Sequence, residues 1–210
     1  MRCRFGKPCL FIFSLALMIV LLSTGCSYRL KLDRSYPLKV NLKDFQPLAV
    51  LPIRDAAGYA ESGVTLYLSA QHFLTQKGYN LVNPSEVVRA MAELNLTPEN
   101  LLSDHPALAH ASKLMKARLL VVGTILEYNF QKSYVSSQDV QVWDGAVYQY
   151  RTLPTYYQGT CQMRLRLRML DPEKGSLVWL AEGSTSGPSR SAEVLKEKLV
   201  ERLLESLPSL

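Results

Sequence analysis

The chain has 210 residues, 48% of them hydrophobic, with 24 basic and 18 acidic side chains. Residues 1–25 hold three of the basic residues, Arg2, Arg4 and Lys7, and no acid, so the remaining 185 residues carry 21 basic against 18 acidic side chains, a net +3. That is enough chain for one domain with a real core, and too weak a charge bias to indicate a nucleic-acid binder.

The first element is a secretion signal. After the three basic residues, Leu10 to Leu22 runs thirteen residues with only Ser14 interrupting the apolar character, too short for the roughly 20 residues that span a bilayer. Ser23, Thr24 and Gly25 supply the small side chains a peptidase site needs, and Cys26 follows. This resembles the bacterial lipobox, in which the cysteine is acylated and becomes the first mature residue, although Ser23 stands where such signals most often have Leu. The alternatives are an ordinary cleaved signal with an incidental Cys26, or an uncleaved anchor helix. Ser27 in place of an aspartate resembles the outer-membrane address, which implies the periplasmic face of the outer membrane. A single acyl chain anchors only marginally, and a cysteine of this class normally carries three. Residues 1–25 are therefore expected to be a lipoprotein signal peptide, with lipidation at Cys26.

Cys3 and Cys9 leave with the signal and Cys26 is consumed by lipid, so Cys161 is the one remaining thiol and no intramolecular disulfide can form. It falls on the apolar side of an alternating segment, which suits a small buried hydrophobe better than a reactive group.

Residues 27–46 show little periodicity. Arg29, Lys31, Arg34, Lys39 and Lys43 face only Asp33 and Asp44 there, which suits a solvated linker or contact with anionic headgroups. Residues 26–46 are expected to be a lipidated tether, and 47–210 a single domain.

Pro47 to Ile53, PLAVLPI, has the length and composition of a buried strand. A polar loop over 55–62 leads to a helix over 63–77, where Leu66, Tyr67, Ala70, Phe73 and Leu74 recur at helical spacing and Gly78 closes the end. Tyr79 to Val82 is expected as a second strand. Asn83-Pro84 starts a helix whose apolar face is Val87, Val88, Met91 and Leu94, and Thr97-Pro98 and Asp104 give the same signal before a helix ending near Ala117. Leu119 to Tyr128 is the central strand. Over 158–170, Cys161, Met163, Leu165, Leu167 and Met169 alternate with Gln162, Arg164, Arg166 and Arg168, so one face meets a core and the other is wet or meets a partner. Asp171 to Gly175 turns the chain into an antiparallel strand over 177–181. The last helix, 192–207 with Ser191 as cap, buries Leu195, Leu199 and Leu203 and pairs Glu193 with Lys196, Lys198 with Glu201 and Arg202 with Glu205 on a solvated face.

Residues 129–157 form an insertion with seven aromatics in 29 residues. Asp144-Gly145 is a two-residue hairpin signal that sets Trp143 opposite Ala146 and Gln141 opposite Tyr148, with Trp143, Tyr148 and Tyr150 on one face. Such a hairpin either packs as a flap on its own domain or contacts a subunit or partner. Polar residues on both faces speak against a membrane-spanning hairpin.

The sequence holds no G-x-S-x-G, phosphate loop, dinucleotide fingerprint or paired metal ligands; His72, His105 and His110 are scattered. The chemistry points to no enzyme, no cofactor and no metal. The arginine row could meet phosphate or an acidic glycan, or simply keep the strand soluble.

Together PLAVLPI, the KGYNLV after the first helix, LLVVGTILEY and MRLRLRMLDPEKGSLVWLAEG resemble the periplasmic fold of the curli-secretion (CsgG-like) lipoproteins, shared by the N-terminal domain of TolB. PelC, of exopolysaccharide export, and LpoB, an activator of a peptidoglycan synthase, look like further users of it. The resemblance covers residues 46–207 and implies an α/β fold, a mixed sheet packed by helices in the order β-α-β-α-α-β, aromatic hairpin insertion, β-β-α. It implies a non-enzymatic envelope lipoprotein, anchored to the membrane by its lipid, that assembles as a homo-oligomer or with an envelope partner in an export, secretion or cell-wall machine. The contact residues are then Trp143, Tyr148, Tyr150, Arg164, Arg166 and Arg168. A curli-type channel subunit is one alternative; an auxiliary lipoprotein of lipid or lipopolysaccharide transport is the other, since Cys26 to Leu30 is similar to the start of LptE.

Overall fold

Segments that are wholly apolar or alternate with period two supply the strands in the computed structural model, which describes residues 28–38, 40–131, 133–135, 138–143, 148–153 and 156–210. These strands are β1 (Arg29–Tyr36), β2 (Leu48–Val50), β3 (Leu119–Phe130), β4 (Ser133–Val135), β5 (Gln138–Trp143), β6 (Tyr148–Leu153), β7 (Tyr156–Gln158), β8 (Thr160–Asp171) and β9 (Ser176–Pro188). The helices are α1 (Ser62–Gln76), α2 (Pro84–Glu93), α3 (Pro98–Ser103), α4 (His105–Met115) and α5 (Ala192–Leu204). Five strands make one mixed sheet in the order β1-β9-β8-β3-β2, parallel only between β2 and β3.

Alternation along the strands sends side chains to two cores. Leu48, Val50, Leu119, Val121, Leu165, Leu167 and Met169 pack under α1 and α5, whose Leu66, Ala70, Leu74, Leu199 and Leu203 lie buried against them. The intervening Ala49, Leu51, Leu120 and Val122 pack on the other face under α2, α3 and α4. β2 is buried at every position because it is covered on both sides, as the continuous apolar run requires.

The helix starts follow the cap chemistry. Asn83 accepts from Ser85 N, Thr97 from Asn100 N and Asp104 from Ala107 N, satisfying amides that an α-helix leaves unpaired. Because Asp104 caps a helix of its own, the segment after Thr97 is two helices, α3 and α4. At the 171–175 turn, Asp171 Oδ1 accepts from Glu173 N and Lys174 N at 3.0 and 3.2 Å, and Gly175 has φ +62° where an added Cβ would strike His105. Gly123 answers a close approach: a Cβ there would collide with the Ile53 side chain.

Several expectations need correction. The tether is not free chain, since Arg29–Tyr36 forms β1 and pairs antiparallel with β9. Of its two leucines only Leu30 packs against the core while Leu32 stays exposed, so this edge strand is held chiefly by its backbone pairing with β9. Residues 79–82 make one parallel bridge, Leu48 with Leu81, and not a strand. Ser191 makes no side-chain cap bond, because a short 3₁₀ turn over Ser189–Ser191 leads into α5. Lys196 is buried, whereas its helix face was expected to be solvated. β9 continues to Pro188, well beyond Ala181.

The insertion extends the central strands. Glu127 pairs with Arg164 and Phe130 with Cys161; Ser133 then pairs with Gln158, Gln138 with Leu153 and Trp143 with Tyr148, all in one unchanged register. Trp143 therefore stands opposite Tyr148 rather than Ala146. The two-residue offset keeps the parity of the expected pairing, and the Asp144-Gly145 turn lies outside the described residues.

Candidate interaction surface

Helices α2, α3 and α4 pack over the β2 end of their face, and among the described residues no helix covers β8, β9 and β1 on it. The pairing Arg164 with Ser184, Arg166 with Glu182 and Arg168 with Leu180 places the arginine row in the middle of this open area. Glu182, 3% exposed, sits beneath it. Arg164 Nη2 lies 2.6 Å from Glu182 Oε1, and Arg166 Nη2 lies 2.8 Å from Glu182 Oε2. Arg164 also reaches Asp33 on β1 at 3.7 Å, which Lys31 meets at 3.4 Å. Arg168 donates to Thr124 Oγ1 at 3.2 Å while its Nε has no partner; burial, then the neighbouring Arg166, push its pKa down. The row expected to be wet is thus partly neutralised by one buried carboxylate. Glu182 and Asp33 were missed because each is remote in sequence; an acid amid the apolar run of β9 was the available signal.

The second feature lies at the root of the hairpin. Tyr59, Tyr128 and Phe130 pack edge-on and stacked, with ring centroids 4.9 to 6.5 Å apart. Lys196 Nζ lies 2.8 Å from Glu193 Oε1 and 5.8 Å from the Tyr128 centroid. Burial alone would raise the Glu193 pKa; the Lys196 ammonium and the Thr65 hydroxyl outweigh it and hold the group below its ordinary value. Cys161 is wholly buried alongside, and burial pushes its thiol up, so it behaves as core. Among the described residues no group of three or more His, Cys, Asp or Glu is placed to hold a metal ion, and no helix is long and apolar enough to cross a membrane.

Trp143 falls on β5, and Tyr148 and Tyr150 on β6; their backbone is placed but their side chains lie outside the described residues. In the backbone register they lie beyond the Phe130–Cys161 pair, away from Arg164, Arg166 and Arg168, so the expected contact residues fall at two separate places along the strands. Cys26 and the signal peptide lie outside the described residues.

No protein-family model matches the sequence, and no curated protein matches it. Solved structures do share the fold. The PelC dodecamer from Paraburkholderia phytofirmans superimposes with a TM-score of 0.52 at 14% identity, over 88% of this chain and 99% of that one. Lipoprotein GNA1162 from Neisseria meningitidis gives 0.51 at 14% identity, over 76% and 96%. The C-terminal domain of LpoB from Salmonella enterica, at 0.39 and 12% identity over 65% and 79%, is too distant to weigh. The chain therefore has the fold seen in PelC and GNA1162, a mixed sheet with helices on both faces.

Proposed function

We propose that this chain is a non-enzymatic lipoprotein of the bacterial cell envelope, acylated at Cys26 and held at the periplasmic face of the outer membrane, where it serves as an assembly or accessory subunit of an export, secretion or cell-wall machine. The observation that carries the proposal is the hairpin. Its strands continue β3 and β8 in one register beyond the Phe130–Cys161 pair, which gives the body a two-stranded arm. An isolated hairpin is marginal in water, and Trp and Tyr supply contact area at modest entropic cost, so the arm suits a second copy of the chain or an envelope partner. The fold shared with a dodecamer and with a lipoprotein supports the same reading, as do the motifs that resemble the curli-secretion lipoproteins. Trp143, Tyr148 and Tyr150 are the proposed contacts; Arg164, Arg166 and Arg168 belong to the other surface.

Native mass spectrometry and crosslinking of the acylated protein test this. Assembly that is weakened in Trp143→Ser with Tyr148→Ser while thermal unfolding stays unchanged supports the arm as a contact. A wild-type protein that stays monomeric and captures no envelope partner overturns the reading, and loss of folding in the variant makes the hairpin a structural flap. The mass of the mature N-terminus tests acylation separately.

A further inference from the structure

We infer that the open sheet face beside β1 is a docking surface for anionic phospholipid headgroups, an inference that rests on the lipid anchor proposed above. Recruiting Arg29–Tyr36 into the sheet shortens the link between Cys26 and the folded body. Arg29 is three residue steps on from Cys26, a reach of about 10 Å at full extension, where a free tether to Pro47 would span roughly 70 Å. An acylated Cys26 then brings the N-terminal end of this edge strand to the headgroups within about one Debye length.

The charge on that edge is arranged on one face. Arg29 pairs with Ser186 and Lys31 with Ser184, so both lie on the side of the arginine row. Plain alternation would turn Arg34 to the opposite side, but the strand bulges between Leu32 and Arg34, and Arg34 comes opposite Glu182. Ser184 and Glu182 are two residues apart, so Arg29, Lys31 and Arg34 share one face. Arg29 and Arg34 are exposed and carry no ion pair among the described residues, and the Lys31 side chain is 77% exposed. With Arg164, Arg166 and Arg168 the open face holds six cations, against Asp33, Glu127 and Glu182. Tyr36, 40% exposed, lies at the far end of the same strand and brings an amphipathic ring of the kind enriched at membrane interfaces.

The test uses the acylated protein in lipid nanodiscs of phosphatidylcholine alone or with phosphatidylglycerol, and follows phenylglyoxal modification of Arg29 and Arg34 by mass spectrometry, with the exposed loop residue Arg54 as internal reference. Docking slows both arginines about five-fold or more in the phosphatidylglycerol discs only, the change expected when each cation gains the typical attraction to an anionic surface. In Lys31→Gln with Arg34→Gln, the protection of Arg29 falls away while circular dichroism and the Arg54 rate stay unchanged. Equal protection in both discs means that the leash alone holds the edge near lipid, and overturns the inference. So does protection by inorganic phosphate in lipid-free detergent, which makes the face a phosphate site, and so does no protection at all, which leaves the charges as guards of a solvated edge. Intact mass of the same sample shows whether Cys26 is acylated, so failure of the anchor is read apart from failure of the face.

Discussion

Arg166 and Glu182 stand directly opposite one another on β8 and β9, and both the Nε and an Nη of the arginine lie 2.8 Å from the same carboxylate oxygen. With Arg164 on the other oxygen, one buried acid organises two cations on an otherwise open sheet. Removing a fully buried charge partner costs about 3–5 kcal/mol. Both arginines remain about a third or more exposed, so water takes over much of that role. Glu182→Gln is expected to lower stability by about 1–2 kcal/mol, as measured by urea unfolding. No change in the midpoint would mean that the pairing contributes nothing to the fold.

Gly123 and Ile53 should be coupled. An added Cβ at Gly123 meets the Ile53 side chain first and Leu167 next, so Gly123→Ala is expected to cost about 1–3 kcal/mol through overpacking. Ile53→Ala opens a cavity of its own, yet together the two changes should cost less than their sum. A double-mutant cycle reads this, and strict additivity would place the clash elsewhere.

Tyr79 and Tyr128 set an alkaline limit. Burial raises both phenols from 10.0 to about 12, and the Tyr79 hydroxyl donates to Pro208 O at 2.7 Å, a bond the phenolate cannot make. The folded pKa lies above the unfolded one, so the stability is fully present below about pH 10 and falls as pH rises towards 12, by up to about 1.4 kcal/mol per pH unit for each tyrosine. Denaturant midpoints recorded across that range should drop, and Tyr79→Phe should flatten the slope.

Asp55 sets the acid counterpart. Its carboxylate accepts from Gly63 N at 2.7 Å and Glu61 N at 2.9 Å, and these backbone bonds, Gly63 first, hold its pKa below 3.8. A depressed pKa gives stability that is present above the unfolded value and lost as pH falls through it towards the folded one. Asp55→Asn is expected to cost about 1 kcal/mol at neutral pH, the usual scale for losing a helix-start acceptor, and to weaken the acid dependence below about pH 4. An unchanged acid limb would show that other carboxylates govern it.

Much of the fold was legible because its signals are local. The alternation from Cys161 to Met169 gave β8, and the apolar runs gave β2 and β3. Asn83 and Thr97 marked two helix starts, while Asp104, read within one helix ending near Ala117, begins a third. Asp171 and Gly175 marked the turn, and the Leu195, Leu199 and Leu203 row marked the buried face of α5. Where a segment lacked such a marker, as at Tyr79 to Val82, the expected strand is only a single bridge. The contact surfaces were less legible: the arginines were visible, but the acid that holds two of them was not.

By itself the sequence determined the signal-like start with Cys26, the central strands and most helix starts, and an aromatic insertion between β3 and β8. These follow from side-chain chemistry acting within a few residues. Tertiary structure alone decided that residues 29–36 join the sheet, that Glu182 lies under Arg164 and Arg166, and that Lys196 is buried beside Glu193 and Tyr128. Strand pairing runs through backbone hydrogen bonds that every residue but proline can donate, and the fate of a charge depends on what a distant segment brings against it. The link from Cys26 to the body therefore shrinks from a tether of some 20 residues to a few, a distance set by where β1 finds its partner on β9.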